Sequence, residues 1–253
     1  MRHYSFAAGL AILAALTGAA ACSERSESRA DEGRGDDQPA SWASSPQDWG
    51  GLKGFSAIEV AGPDNVVVTQ GDFAVRVEGD PKVIERLEIG VSGDRLKIGR
   101  KRQWGMNWNG DDKGATIRVS LPALAAVSLT GSGDVSVDKA AGDALDLSLT
   151  GSGDLSVAAI AVRRLKADIT GSGGIRAGGS ADTAKLSATG SGDFEGEGLK
   201  LGSADVSVLG SGNIGFASDG AVDIDLMGSG DVTVKGRARC EKSVMGSGEV
   251  RCG

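Results

Sequence analysis

The stretch Leu129-Thr130-Gly131-Ser132-Gly133-Asp134-Val135-Ser136-Val137 returns as Leu149-Thr150-Gly151-Ser152-Gly153-Asp154-Leu155-Ser156-Val157. The tetrad recurs at Gly171 (GSGG), Gly190 (GSGD), Gly210 (GSGN), Gly228 (GSGD) and Gly246 (GSGE), so starts from Gly131 onward lie 20, 20, 19, 20, 18 and 18 residues apart. Repetition at such a period marks a stacked architecture, and it has to be recognised before any local structure is assigned. The flanks say what is stacked. Two residues before each first glycine lie Leu129, Leu149, Ile169, Ala188, Val208, Leu226 and Val244. Four before it lie Val127, Leu147, Ala167, Leu186, Val206, Ile224 and Lys242, and four after it Val135, Leu155, Ile175, Phe194, Ile214, Val232 and Val250. Apolar residues at every second position, with Ser, Thr, Asp and Lys between them, describe strands with one buried face.

Two architectures accommodate this pattern. Each repeat is either one coil of a β-solenoid, with equivalent strands pairing in parallel, or one hairpin of an antiparallel sheet. The solenoid is favoured, because in-register stacking about 4.8 Å apart makes near-identical copies self-compatible. The expected fold is therefore all-β, a single-stranded right-handed β-helix-like stack of about 20-residue repeats. Glycine suits its corners, where the chain needs positive φ or close backbone approach. Lys242 breaks its column only in the last copy, as expected of a terminal coil.

Upstream, Val60-Ala61-Gly62-Pro63-Asp64-Asn65-Val66-Val67-Val68 aligns position for position with Leu129–Val137, and Val91-Ser92-Gly93-Asp94 is read as a second echo. Asp80 as N-cap and Pro81 at the first helical position predict one short helix toward Leu87. Residues 53–253 are thus expected to form one repetitive β domain, with 53–128 an irregular cap portion and 129–253 the repeats.

The N-terminus reads as an address. Arg2 and His3 precede an apolar run from Phe6 to Leu16, too short to span a bilayer comfortably, and then Ala19-Ala20-Ala21. Cys22 follows directly, so residues 1–22 resemble a bacterial lipoprotein signal in which that cysteine is acylated, with Ala19 departing from the usual Leu. Residues 23–52 are expected to be a disordered polar tether. The resemblance implies a cell-envelope location, exported and lipid-anchored; Ser23, by analogy with enteric sorting, implies the outer membrane, facing periplasm or surface. One cysteine used for lipid leaves Cys240 and Cys252, an even pair in an oxidising compartment, which is read as a disulfide pinning the last coil.

The chemistry on offer is sparse. Net charge is −7, which disfavours nucleic acid as a partner. The only His and the only Tyr are His3 and Tyr4, inside the expected signal, so the mature chain lacks the usual proton shuttle and the commonest metal ligand. No catalytic residue, metal site or cofactor is assigned, and Gly210-Ser211-Gly212-Asn213-Ile214-Gly215 matches G-x-G-x-x-G without a following helix pattern. Asp134, Asp154, Asp193 and Asp231 share an outward column with Gly174, Asn213 and Glu249. They are read as closing turns on local backbone, ahead of a calcium ladder. Thr130, Thr150, Thr170 and Thr189 form another outward column, ordinary for a solvated strand face. A loop running from Arg100 to Asp112 carries Arg102, Trp104 and Trp108. It is the candidate binding loop for a glycan or protein, although the indoles would equally cover the end of the core.

The F-x-x-I-x-V opening (Phe55 to Val60), the V-x-V-E-G-D segment (Val75 to Asp80), the L-K-I strand (Leu96 to Ile98) and the recurrent T-G-S-G-D resemble the head-GIN-domain family of putative auto-transporter adhesins. The resemblance spans about residues 54–250 and implies an exported β-solenoid with no catalytic residues to transfer. The expected function is a non-catalytic cell-envelope lipoprotein: an adhesin-like module presenting a rigid surface to an envelope protein, a glycan or its own copies as a homo-oligomer. The alternative is a polysaccharide-active β-helix enzyme using surface carboxylates, for which the nearly loopless period leaves little room.

Overall fold

The computed structural model describes residues 41–43 (backbone only), 49–101 and 114–253. The described strands are β1 (Ser41–Ala43), β2 (Ala57–Gly62), β3 (Asn65–Gln70), β4 (Ala74–Glu78), β5 (Leu87–Ser92), β6 (Arg95–Arg100), β7 (Thr116–Leu121), β8 (Ala126–Gly131), β9 (Val135–Gly151), β10 (Asp154–Gly171), β11 (Gly174–Gly190), β12 (Asp193–Gly210), β13 (Ile214–Ser218), β14 (Ala221–Gly228), β15 (Val232–Gly236), β16 (Arg239–Gly246) and β17 (Val250–Cys252). One helical turn, α1 (Pro81–Ile84), separates β4 from β5, with Asp80 capping it by accepting the Lys82 N–H at 2.8 Å. The helix stops short of Leu87 because that residue begins β5, whose ladder to β6 satisfies the backbone instead.

From β8 onward the chain is a parallel β-solenoid. Leu155 pairs with Val135 on one side and Ile175 on the other. Leu147, Ala167, Leu186, Val206, Ile224 and Lys242 follow one another in a single register column. Each of β9 to β12 runs a whole coil, bending where the ladder slips, as between Val157 and Ile160. The predicted inward columns are buried in every coil until the last, forming one continuous core. Each fully buried Val or Leu contributes roughly 1.5–3 kcal/mol, so the columns hold the stack together.

The corner itself explains the glycines. The carbonyl oxygen of Gly131 accepts N–H groups from both Ser152 and Gly153 of the next coil, at 3.0 and 3.2 Å, and that of Gly151 does the same for Ser172 and Gly173. Gly151 has φ +127°, and a Cβ placed there would overlap the Gly131 carbonyl; one on Gly153 would overlap the Gly133 carbonyl. The serine between them points outward and is exposed.

The N-terminal portion keeps the theme but not the chain order. β2 and β3 stack on β8 and β9 with Val60 opposite Leu129, Gly62 opposite Gly131 and Val66 opposite Val135, so the upstream alignment holds position for position. On their other side lie β6 and β7, parallel to β2 and β3, so a later segment sits outside an earlier one. Antiparallel strands then close this end: β5 on β6, β4 on β7, and β1 on β5. Gly93 is the turn of the β5–β6 hairpin, with φ +61°, and not a coil corner; the echo seen at Val91–Asp94 is corrected accordingly. The packed unit also begins earlier than residue 53, since Trp49 is core and β1 pairs with β5.

The C-terminal end is closed differently. Cys240 on β16 and Cys252 on β17 continue the inward columns of Val222 and Val234, and a disulfide joins them across the mouth of the last coil, with Cα atoms 6.5 Å apart. Lys242 and Val244 beside it are exposed because no further coil covers them.

Gly151→Ala should cost about 2–4 kcal/mol, from backbone strain and overlap with the neighbouring coil, whereas Ser152→Ala should stay within about 0.5 kcal/mol. Chemical denaturation of the two variants measures the contrast. Cys252→Ser removes a covalent closure spanning a sequence separation of 12 residues. It should cost up to about 3 kcal/mol, with hydrogen exchange rising first in β16 and β17 while β9 to β11 stay protected.

Candidate functional site

The repeat shortens from 20 residues to 18 at Gly210, and the surface changes there. Phe194 pairs with Ile214, Glu195 with Gly215 and Gly196 with Phe216, but the next partner of Ala217 is Lys200, so Glu197, Gly198 and Leu199 of β12 bulge past β13. The wider coil overhangs the narrower one. Under the overhang lies a groove of about 820 Å³ on the outer face of the short strands.

Its lining comes from one outward column, Ser156, Arg176, Glu195, Gly215 and Thr233, together with Glu197 from the edge of the overhang and Lys235 from β15. Gly215 leaves the floor bare: a Cβ there would meet nothing within 4 Å. Arg176 donates to Glu195 at 2.7 Å and sits 3.6 Å from Asp154. The hydrogen bond to Glu195, then its charge, then that of Asp154 hold the guanidinium above its ordinary pKa. Lys235 donates to Glu197 at 3.1 Å, reaching across the intervening coil. Both cations are neutralised in place, and Asp193 and Asp231 on the rim leave the groove with an excess of carboxylates among its many donors and acceptors. Phe194, Ile214 and Phe216 pack beneath it as core.

The aspartate column forms one rim. The expectation of local turn closure is corrected in its detail, because each side chain bonds the neighbouring coil. Asn65 Oδ1 accepts the Asp134 N–H at 3.0 Å, Asp134 Oδ1 that of Asp154 at 3.1 Å, and Asp154 Oδ1 that of Gly174 at 3.1 Å. The series resumes with Asp193 to Asn213, Asn213 to Asp231 and Asp231 to Glu249, at 2.8–2.9 Å. Gly174, lacking a side chain, has nothing to pass on to Asp193. One oxygen of each carboxylate is thus committed to an N–H donor, which a calcium ladder would have to displace. Among the described residues no group of three or more His, Cys, Asp or Glu is placed to share a metal ion.

The candidate binding loop is anchored at its base. Asp64, 2% exposed, accepts from Arg100 Nε and Nη2 at 2.8 and 2.7 Å and from the Ala115 N–H at 2.8 Å. One buried carboxylate therefore ties down both ends of the insertion between β6 and β7. Arg102, Trp104 and Trp108 lie outside the described residues, as does Cys22. Sequence reasoning did not find the groove, although the drop in repeat length from 20 to 18 was its signal.

Residues 54–238 match the family described as "Putative auto-transporter adhesin, head GIN domain". The chain belongs to this family. The same fold appears in a putative adhesin from Bacteroides fragilis, 21% identical with a TM-score of 0.71, where the match covers 79% of this chain and 93% of that one. A putative lipid binding protein from Parabacteroides distasonis is 22% identical with a TM-score of 0.60, covering 80% and 94%. A putative adhesin from Parabacteroides merdae is 19% identical with a TM-score of 0.62, covering 79% and 92%. These likenesses establish the head GIN fold. No curated protein matches the chain. Among its described residues no helix is long and apolar enough to cross a membrane.

Asp134→Ala should cost about 1 kcal/mol through the lost bond to the Asp154 N–H, while a chelator should leave the melting temperature of the wild-type chain unchanged. A chelator-induced fall in melting temperature would restore the calcium reading of this column.

Proposed function

We propose that this head GIN protein is a non-catalytic, adhesin-like binding module of the bacterial cell envelope, carried on a lipid at Cys22, and that the groove at the coil step receives a neutral, hydroxyl-rich ligand such as a saccharide chain. The groove carries this reading. Its two cations are already paired, Arg176 with Glu195 and Lys235 with Glu197. Asp193 and Asp231 add carboxylates that form no ion pair among the described residues, so an anionic ligand would meet only repulsion. Hydroxyl groups both donate and accept, and can join such pairs without stripping either partner. The bare floor at Gly215 lets a chain lie against the backbone, and the parallel stack holds the groove rigid. The commitment of Glu195 and Glu197 to cations and of Asp193 to Asn213 supports binding over acid–base catalysis.

Gly215→Trp is the direct test, because the position has room for a side chain and would fill the groove. On a glycan array the full chain should bind a subset of neutral saccharides and the variant should lose that binding by at least about tenfold. Equal binding by both would overturn the groove assignment, and release of shortened glycan from a bound ligand would overturn the non-catalytic reading. The anchor rests on Ala20-Ala21-Cys22 and the polar segment after it. Metabolic labelling with a fatty acid should mark the wild-type chain and not Cys22→Ser; an unlabelled wild type would mean simple secretion.

A further inference from the structure

One outward column changes chemistry without any change in backbone. Immediately before each first glycine stand Thr130, Thr150, Thr170 and Thr189, all exposed, and then Leu209, Met227 and Met245. The last three share the same register, Leu209 opposite Met227 and Met227 opposite Met245, and are 51%, 52% and 58% exposed. Four threonines at equivalent places demonstrate that the fold does not ask for apolar residues there. Val244, 42% exposed on the uncovered end of the core, extends the stripe around the rim of the last coil.

The flanking columns change with it. In the earlier coils, the positions four residues before this column hold Asp146, Lys166 and Lys185, a mixture of signs, and Lys166 is paired with Asp168. In the last coils, those positions hold Asp205, Asp223 and Glu241, with Asp225 closer to the stripe. All four carboxylates are exposed, and among the described residues none takes part in an ion pair. An exposed Leu/Met ridge bordered by unpaired acids fits a partner with apolar side chains beside basic ones.

The chain carries such a segment near its other end. Lys101 and Arg102 precede Trp104, Met106 and Trp108. Because β6 lies beside β2 and β7 beside β3, the insertion leaves the stack at the Gly62–Asp64 corner. That corner belongs to the same longitudinal edge as the stripe, since Gly62 stacks on Gly131 and the glycines follow in register to Gly246. Two copies placed end to end along the stack axis bring the insertion of one to the stripe of the other. A loop of this length can extend about 20 Å, and the stripe spans only about 10 Å over its three coils.

We propose that the protein associates head to tail, the Lys101–Trp108 segment of one copy seated on the Leu209–Met227–Met245 stripe and its acidic border on the next. The contact is heterologous: each copy offers a donor end and an acceptor end, and such contacts propagate into open chains. It is separate from the groove, so ligand binding and association fail independently.

Complementary variants test this by sedimentation velocity on the full chain. Leu209→Thr/Met227→Thr/Met245→Thr restores the residue that the fold uses elsewhere in the column, and Trp104→Ala/Trp108→Ala disarms the donor segment. Wild type should associate with rising concentration, less so in high salt, and each variant alone at least about tenfold more weakly. Mixing the two variants should restore dimers, because one retains a sound acceptor and the other a sound donor. A wild type that stays monomeric at all concentrations, variants that associate like wild type, or a mixture that stays monomeric would each overturn the proposal. Monomeric wild-type chain that captures a basic tryptophan-containing peptide of unrelated sequence would overturn it in favour of a different partner.

Discussion

The carbonyl oxygen of the first glycine at each corner holds N–H groups of the following coil, two at Gly62, Gly131, Gly151, Gly210 and Gly228 and one at Gly171 and Gly190, and there is no space beside it for a Cβ. That contact sets the register of the whole molecule. With the corner fixed, the strands on either side of it are fixed too, and every inward residue falls onto its counterpart one coil away. The core columns then need only be apolar. Alanine at 167 and 188, leucine at 147 and phenylalanine at 194 all serve as inward residues, because neighbouring columns share the space. The aspartate series reinforces the same register from outside, each side chain reaching for the next coil's backbone. Steric exclusion at the corner decides the fold, and hydrophobic burial stabilises what has been decided.

A regular stack is featureless, so its distinctive surfaces arise where regularity lapses. Shortening the coil at Gly210 leaves Glu197, Gly198 and Leu199 without partners on β13, and the overhang they form is the groove. Inserting residues at the Gly62–Asp64 corner makes the loop between β6 and β7. Replacing the outward threonines by Leu209, Met227 and Met245 makes the exposed stripe. The parallel ladder breaks at the step, resumes with Lys200 opposite Ala217, and runs on in register under the stripe.

How much of this was legible follows from what each feature depends on. Columns such as Leu147–Ala167–Leu186 were readable because burial recurs with the repeat and strands alternate faces. The disulfide was readable because Cys240 and Cys252 fell on inward positions of one coil. The stacking of β6 and β7 outside β2 and β3 was not, since sequence order says nothing about which face of a coil a later segment will cover. Gly93 misled because a hairpin turn and a coil corner both favour Gly followed by Asp. The partner of the aspartate side chain was invisible for a similar reason: a local N–H and one from the adjacent coil are equally near in a turn. The groove follows from a local mismatch in strand length, which needs the register to locate it. The apolar stripe, by contrast, stood in plain view as Thr, Thr, Thr, Thr, Leu, Met, Met, once the outward columns were written out as carefully as the inward ones.

Asp64 gives the insertion a property that ordinary loops lack. Arg100 and Ala115, the residues at which the chain departs and returns, are fastened to the same buried carboxylate. The gap to be bridged is therefore set by the clamp and not by what lies between, and closing a longer excursion costs only a fraction of a kcal/mol for each modest increase in length. The length of the segment between Lys101 and Gly114 can therefore change without altering the clamp that holds its two ends. Such a socket separates variation in the inserted segment from the demands of folding.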